Sequence, residues 1–461
     1  MYKRSKRADS AGGPGPRVKY LTEGRLVACG LIAATQMSWG SVVPVLPHYT
    51  QQFGMGALAL GAIIASFGVG RLVINIPAGI LSRHVRQWPF LLIAVGGVLV
   101  CTILTGLMSE FVPVLALRFI AGIFSGAAIT VGQTLVLGEA PPEARGRVSS
   151  LLQAAQLAGA ALGPALGGAA MSLFGVLPAF LAASSGCAAF IIWALIRFPQ
   201  VQSKSAESPP IRQQRPPANG SRFPTRPGGV RYRRVAPLLA LAALNGVGFV
   251  IFTARFGGQQ SLVPLLSVQL AAVPAWQLGL GLAAITAVSL ALLPIIGAVS
   301  DRVDRRWILA PSLALSAALT PLYLLAHDPL AFLAVMIVVG ICGSQAGGLP
   351  LATLADAVSP RRFGVMTGLY RTFGDLGTIL GPIALTSVLE RFGAAPAVLT
   401  LAGLTLVGAV LACVRVEPYT RSRKSPPSST HVMEQSDLVR TEVPRAHLKG
   451  TAVREQQSSV S

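Results

Sequence analysis

Apolar residues run through this chain in long, nearly uninterrupted stretches, and polar residues gather in short knots between them. The two-residue alternation of a half-buried strand is absent, and so is the narrow apolar stripe of a soluble amphipathic helix. The stretches lie near 25–46, 56–81, 89–108, 112–138, 148–172, 175–196, 236–264, 276–299, 307–326, 330–355, 364–388 and 395–414. Each approaches or exceeds the roughly 20 apolar residues that a helix rising about 1.5 Å per residue needs to cross a bilayer. A β-barrel would show alternating segments of about ten residues instead. The pattern predicts an all-α membrane protein with twelve transmembrane helices. It also predicts its division: a basic tail (1–24), a first six-helix bundle (25–196), a basic linker (197–235), a second six-helix bundle (236–415) and a tail (416–461). The linker and the last tail, rich in Pro, Ser, Gln and Arg, are expected to be disordered.

Composition agrees. Hydrophobic residues are 52% of the chain, charged residues 12%, and mean hydropathy is +0.62. No soluble core hides that much apolar surface. The net charge of +21 is a topology signal. Lys and Arg crowd the amino-terminal tail (Lys3, Arg4, Lys6, Arg7, Arg17, Lys19, Arg25) and then every second connector: Arg83 and Arg86, Arg145 and Arg147, 300–306, and Arg361 with Arg362. Intervening connectors are bare except for Arg391. The positive-inside rule places both termini in the cytoplasm, with the chain integral to the plasma (inner) membrane. Charge spread over connectors argues against a nucleic-acid partner. The first run is too long for a signal peptide and has no small-residue cleavage site. Five cysteines fall inside apolar runs without metal-ligand spacing, so no metal and no cofactor are expected.

The halves repeat. Gly79 and Gly297, Gly122 and Gly340, Gly146 and Gly364, and the pairs Gly163-Pro164 and Gly381-Pro382 are each 218 residues apart. Parallel repeats of this kind mark secondary transporters whose two bundles rock about a central site.

Four motifs stand on these landmarks. GAVSDRVDRR (297–306) joins spans 8 and 9, and GILSRHVRQW (79–88) joins spans 2 and 3. Arg118, Gly122 and Gly126 are spaced by four in span 4. Gly159, Gly163, Pro164, Gly167 and Gly168 follow in span 5, and Pro44 and Pro47 end span 1. With this topology the chain resembles the major facilitator superfamily, and within it the twelve-span drug:proton antiporter branch. Gly297, Ser300, Asp301, Arg302, Arg305 and Arg306 fit that family's charged signature. The first copy keeps Gly79, Leu81 and Ser82 but carries Arg83 for the family aspartate and Arg86 for its glycine. The resemblance implies gating by the charged connectors and by Gly159, Gly163, Pro164, Gly167, Gly168, Gly381 and Pro382, the glycines giving helices a close sliding face. It implies a cavity between bundles lined by spans 1, 4, 7 and 10, where Gln36, Trp39, Arg118, Gln133, Asn245, Arg255, Gln259, Gln260 and Gln345 fall. Span 1 lacks the acidic residue that the family's drug exporters often carry.

Ionisable residues deep in a span are costly and therefore informative. Asp375, on the order of 15–20 Å deep in span 11 by helical rise, shares a helix face with Arg371 four residues earlier. Arg71 lies at comparable depth in span 2. Asp375 is expected to pair with Arg371 and, across the seam, with Arg71, a proton on Asp375 loosening the pairing. A static salt bridge is the other reading. Arg118 and Arg255 lack central carboxylates on their own spans; they suit an anionic substrate or bond helix carbonyls. The chain reads as a secondary transporter, not an enzyme: a monomer that exports a small organic molecule in exchange for protons. Its alternatives are an uptake symporter or uniporter for an organic anion, and a non-transporting scaffold or sensor.

Overall fold

In hydrocarbon no water satisfies backbone N–H and C=O groups, so an apolar stretch of this length folds as a helix that bonds to itself. A computed structural model of the chain describes residues 22–52, 54–82, 84–138, 145–207, 238–300, 302–344, 349–358 and 360–414. Twelve helices among them have the length and apolarity to cross a membrane. They are span 1 (Glu23–His48), span 2 (Ala57–Leu81), span 3 (Gln87–Leu107), span 4 (Phe111–Gly138), span 5 (Val148–Phe174) and span 6 (Val176–Arg197). Span 7 (Leu239–Ala271), span 8 (Ala275–Ser300), span 9 (Arg306–Leu324), span 10 (Pro329–Leu354), span 11 (Met366–Phe392) and span 12 (Ala394–Ala412) follow. No strand occurs among the described residues. Ile76, Leu173, Ile196, Leu239, Leu325 and Leu330 are each at least 67% exposed, an apolar surface suited to lipid and not to water.

Three departures from uniform helix matter. Span 1 breaks at Val43–Val45, around Pro44. Span 7 carries a π-helical segment, Thr253–Leu262. The helix of span 6 runs on to Glu207, into the stretch read as linker; the rest of that linker through 237 and the tail from 415 lie outside the described residues.

The main packing pairs in the first half have counterparts in the second. Span 1 packs on spans 5 and 6, span 2 on span 4, and span 3 on spans 4 and 6. Span 7 packs on spans 11 and 12, span 8 on span 10, and span 9 on spans 10 and 12. The turns repeat as well. Four described residues have positive φ: Gly54 (60°), Gly175 (89°), Ala272 (46°) and Gly393 (85°). They form two pairs 218 apart, with alanine standing once where its counterpart is glycine. Two bundles therefore share one plan, and they meet along two seams, span 2 on span 11 and span 5 on span 8.

Candidate functional site

The seams divide by depth. The end carrying the span 2–3 and span 8–9 connectors is called the basic end here, its opposite the far end. At the far end the first amides of spans 2 and 8 have no partner in their own helices, and the opposite bundle supplies one. Leu58 N donates to Glu390 Oε2 at 2.7 Å, and Trp276 N donates to Ser172 Oγ at 3.1 Å. Leu58 and Trp276, and Ser172 and Glu390, are again 218 apart. One turn deeper, a Cβ on Gly61 would meet Pro382 O, and one on Gly279 would meet Pro164 O. These glycines are a further pair at the same offset.

The glycines of the span 5 motif distribute differently from the expected sliding face. Gly159 packs on Ala33 O, Gly163 on Met37 O and Gly167 on Ser41 O, all in span 1 of the same bundle. Ser41 Oγ donates to Gly163 O at 2.8 Å. Gly381 packs likewise on Thr253 of span 7. Only Pro164, Gly168 and Pro382 touch the opposite bundle, Gly168 through Ala275 O. The reason is geometric: within one helix a four-residue glycine spacing lines one face, and that face meets span 1.

Below the far-end contacts sits an aromatic plug. Trp39 stacks on Phe67 at 4.2 Å between centroids and lies 6.3 Å from Phe256, which stacks on Phe252. Trp39 Nε1 donates to Gln260 Oε1 at 2.8 Å, spans 1 to 7. Both residues were expected to line a cavity; they bond to each other and stop it.

Toward the basic end a cavity of about 450 Å³ lies between the second bundle and span 5 and reaches Gly297 and Ser300. Spans 5, 7, 8, 9, 10 and 12 line it. Arg255 and Gln259, both on the π-helical segment, face it, and Arg255 is its one formally charged lining residue among the described residues. Four other expected lining residues lie elsewhere. Gln36 is half-buried in span 1, outside the lining. Asn245 Nδ2 donates to Leu241 O at 2.9 Å in its own helix. Gln133 Oε1 accepts from Arg371 Nη2 at 3.3 Å, spans 4 to 11. Arg118, 1% exposed, donates to Thr105 Oγ1 at 3.1 Å and lies over the Phe180 ring, facing spans 3 and 6. Gln345 is outside the described residues.

Asp375 is buried in the 2–11 seam, and its Oδ2 accepts from Asn75 Nδ2 at 2.9 Å. Among the described residues it makes no ion pair with Arg71 or Arg371 within the 4.0 Å limit; both arginines act on it at longer range. Asn75 was missed, although it stands one turn beyond Arg71 on the same face of span 2, as Asp375 stands one turn beyond Arg371. At the basic end, a Cβ on Gly79 would just reach Thr130 of its own bundle, and one on Gly297 would meet open space among the described residues. Asp301 and Arg83 lie outside the described residues. The acid seen at the start of span 9 is Asp304, whose carboxylate holds Arg306 Nε at 3.1 Å and Arg306 N at 3.3 Å. Arg302 is exposed, and Arg305 is the residue that precedes span 9.

Two six-helix bundles meeting along two seams form the architecture here, and known proteins share the fold. Over 159 residues the chain is 28% identical to an uncharacterized MFS-type transporter of Methanocaldococcus jannaschii. Over 155 residues it is 26% identical to the quinolone resistance protein NorA of Staphylococcus aureus. These alignments span 34% and 33% of this chain and 41% and 39% of those proteins. A bacterial homologue of the human lysosomal transporter Spinster, solved inward-facing and occupied, superposes with a TM-score of 0.67 at 15% identity, over 87% of this chain and 97% of that one. The human organic anion transporter MFSD10 does so at 0.56 and 20%, over 84% and 98%; at such identities the likeness is one of fold. The sequence model of the Major Facilitator Superfamily matches residues 28–290 and 249–451. Since those matches take in both bundles, the chain belongs to the Major Facilitator Superfamily and is a transporter, not an enzyme.

Proposed function

We propose that the chain exports a small organic molecule across the plasma membrane in exchange for protons, by alternating access. The observation that carries the reading is the Asn75–Asp375 hydrogen bond, a buried carboxylate tying span 2 to span 11 with Arg71 and Arg371 nearby. An ionised Asp375 attracts both arginines and holds the seam; a proton on it removes that attraction and frees the bundles. By the positive-inside rule the basic end faces the cytoplasm. The cavity then opens inward, with the plug and far-end caps sealing the outside. The partial likeness to a quinolone resistance protein favours export.

The test uses inside-out membrane vesicles with an acid interior and a fluorescent quinolone as probe. Uptake driven by the gradient is expected, and Asp375→Asn abolishes it while expression and helix content persist. Undiminished gradient-driven uptake in Asp375→Asn overturns the coupling role. A second reading, uptake of an organic anion, is favoured by Arg255, the one charged lining residue among those described. Accumulation in right-side-out vesicles with an acid exterior would select it.

A further inference from the structure

The cavity has a head and a body of different chemistry. Its head is Arg255, exposed to the cavity and without a hydrogen bond or ion pair among the described residues. The charge of Arg71, of like sign, acts on it. Asp375 is bonded to Asn75 and is not among the lining residues. A cation facing the cavity with no counter-charge among the described residues attracts an incoming anion.

The body of the cavity is apolar beyond what its composition suggests. Ile285, Leu293, Ile296 and Leu313 face it directly. The hydroxyls that also line it are spent on helix carbonyls. Thr286 donates to Leu282 O, Ser289 to Ile285 O, Ser316 to Val339 O, Thr320 to Ser316 O and Thr405 to Leu401 O, at 2.6 to 3.3 Å. A hydroxyl so occupied has no proton left to give an anionic oxygen and can only accept.

The repeat sharpens this. Shifted by 218 residues, the charged cluster Arg71, Asn75, Arg371 and Asp375 falls on Ser289, Leu293, Gln153 and Leu157. All four line the cavity. Where one seam is charged and bonded shut, its copy is an uncharged wall. A volume of about 450 Å³ suits one small molecule, since such sites run from about 300 to 1,000 Å³.

We propose that the cargo is an amphipathic organic anion. Its carboxylate, sulfonate or phosphate is held by Arg255, and its apolar body lies against spans 5, 8 and 9. This rests on reading the cavity as the transport site, but not on proton coupling or on direction.

The test is equilibrium binding to the full chain in lipid nanodiscs, without a gradient. The probes are 1-anilinonaphthalene-8-sulfonate and N-phenyl-1-naphthylamine, the same ring system with and without the anion, each corrected for empty nanodiscs. Saturable binding of the sulfonate is expected. Arg255→Gln should weaken it about tenfold or more, the scale of one charge-assisted hydrogen bond, and Arg255→Lys should retain most of it. The neutral probe should bind both forms alike, and Leu293→Trp should weaken both probes by filling the body. Equal sulfonate binding by wild type and Arg255→Gln overturns the proposal, as does the absence of saturable sulfonate binding to the wild type. Because no gradient is present, these results stand apart from the Asp375→Asn flux experiment, and either can fail alone.

Discussion

The two seams are copies of each other in their far halves and opposites in their basic halves. Toward the far end both use the same devices: a borrowed cap on the first amides of a helix, then a glycine against the carbonyl of a proline. Toward the basic end the 2–11 seam holds Arg71, Asn75, Arg371 and Asp375, and the 5–8 seam holds Ser289, Leu293, Gln153 and Leu157. The difference teaches how a duplicated fold divides labour. A buried hydrogen-bonded carboxylate is sensitive to a proton but poor as a wall for an apolar solute. Neutral side chains make the wall but answer to no proton. Keeping both on one scaffold requires the copies to diverge where they face the cavity and agree where they seal it.

The comparison breaks most completely where the seams agree. Gly61→Leu and Gly279→Leu should each force the far end apart. Both drive a side chain into backbone, and overpacking of that kind costs about 1–3 kcal/mol. Transport should fall at least tenfold in each, with single cysteines introduced at the far ends of spans 2 and 8 gaining access to a water-soluble thiol reagent. A loss confined to one glycine would show that the seams do not seal alike.

A smaller effect is expected where they differ. Asn75→Leu gives the 2–11 seam the residue found at the matching place in the other, and it leaves Asp375 without its hydrogen bond. A lost buried partner costs about 1–3 kcal/mol. Gradient-driven transport should shift its pH dependence while sulfonate binding at Arg255 is unchanged, and transport against pH in both forms checks this.

The far-end caps come next. Glu390→Gln removes a negative charge from a helix amino terminus, about 0.3–1 kcal/mol that falls with salt. Ser172→Ala removes a neutral acceptor from the matching place. Spin-label distances between the far ends of spans 2 and 11 should lengthen in Glu390→Gln at low salt, and the difference from wild type should shrink at high salt. Ser172→Ala should affect only the 5–8 distance, without salt dependence. The smallest change is Ala272→Gly, which gives a left-handed turn the residue present at Gly54. Relief of left-handed alanine, worth about 1 kcal/mol, should raise the thermal midpoint with transport unaltered.

The twelve spans and their pairing were legible because lipid leaves the chain few choices and because the 218-residue offset repeats at glycines that packing requires. Asp375 was legible as a costly residue; its partner Asn75 was not, since an amide in a helix carries no comparable cost. Trp39 and Gln260 read from the sequence as residues of the substrate cavity. Whether an inner residue lines a cavity or plugs it depends on what stands opposite, and that is a property of the assembled bundles. The π-helical segment that carries Arg255 left no mark in the apolar period of span 7. Arg118 misled because an arginine inside a span looks like a ligand site even when a threonine and a phenylalanine ring occupy it.

The borrowed caps have one more consequence. Each bundle leaves a helix end that only the other bundle completes, so parting the far ends strips an amide on span 2 and another on span 8 of their acceptors together. Water must take those places, and the open far end is therefore a hydrated state by construction. Its population follows the activity of water: solutes too large to enter the opening vestibule withdraw water from it and hold the carrier closed on that side.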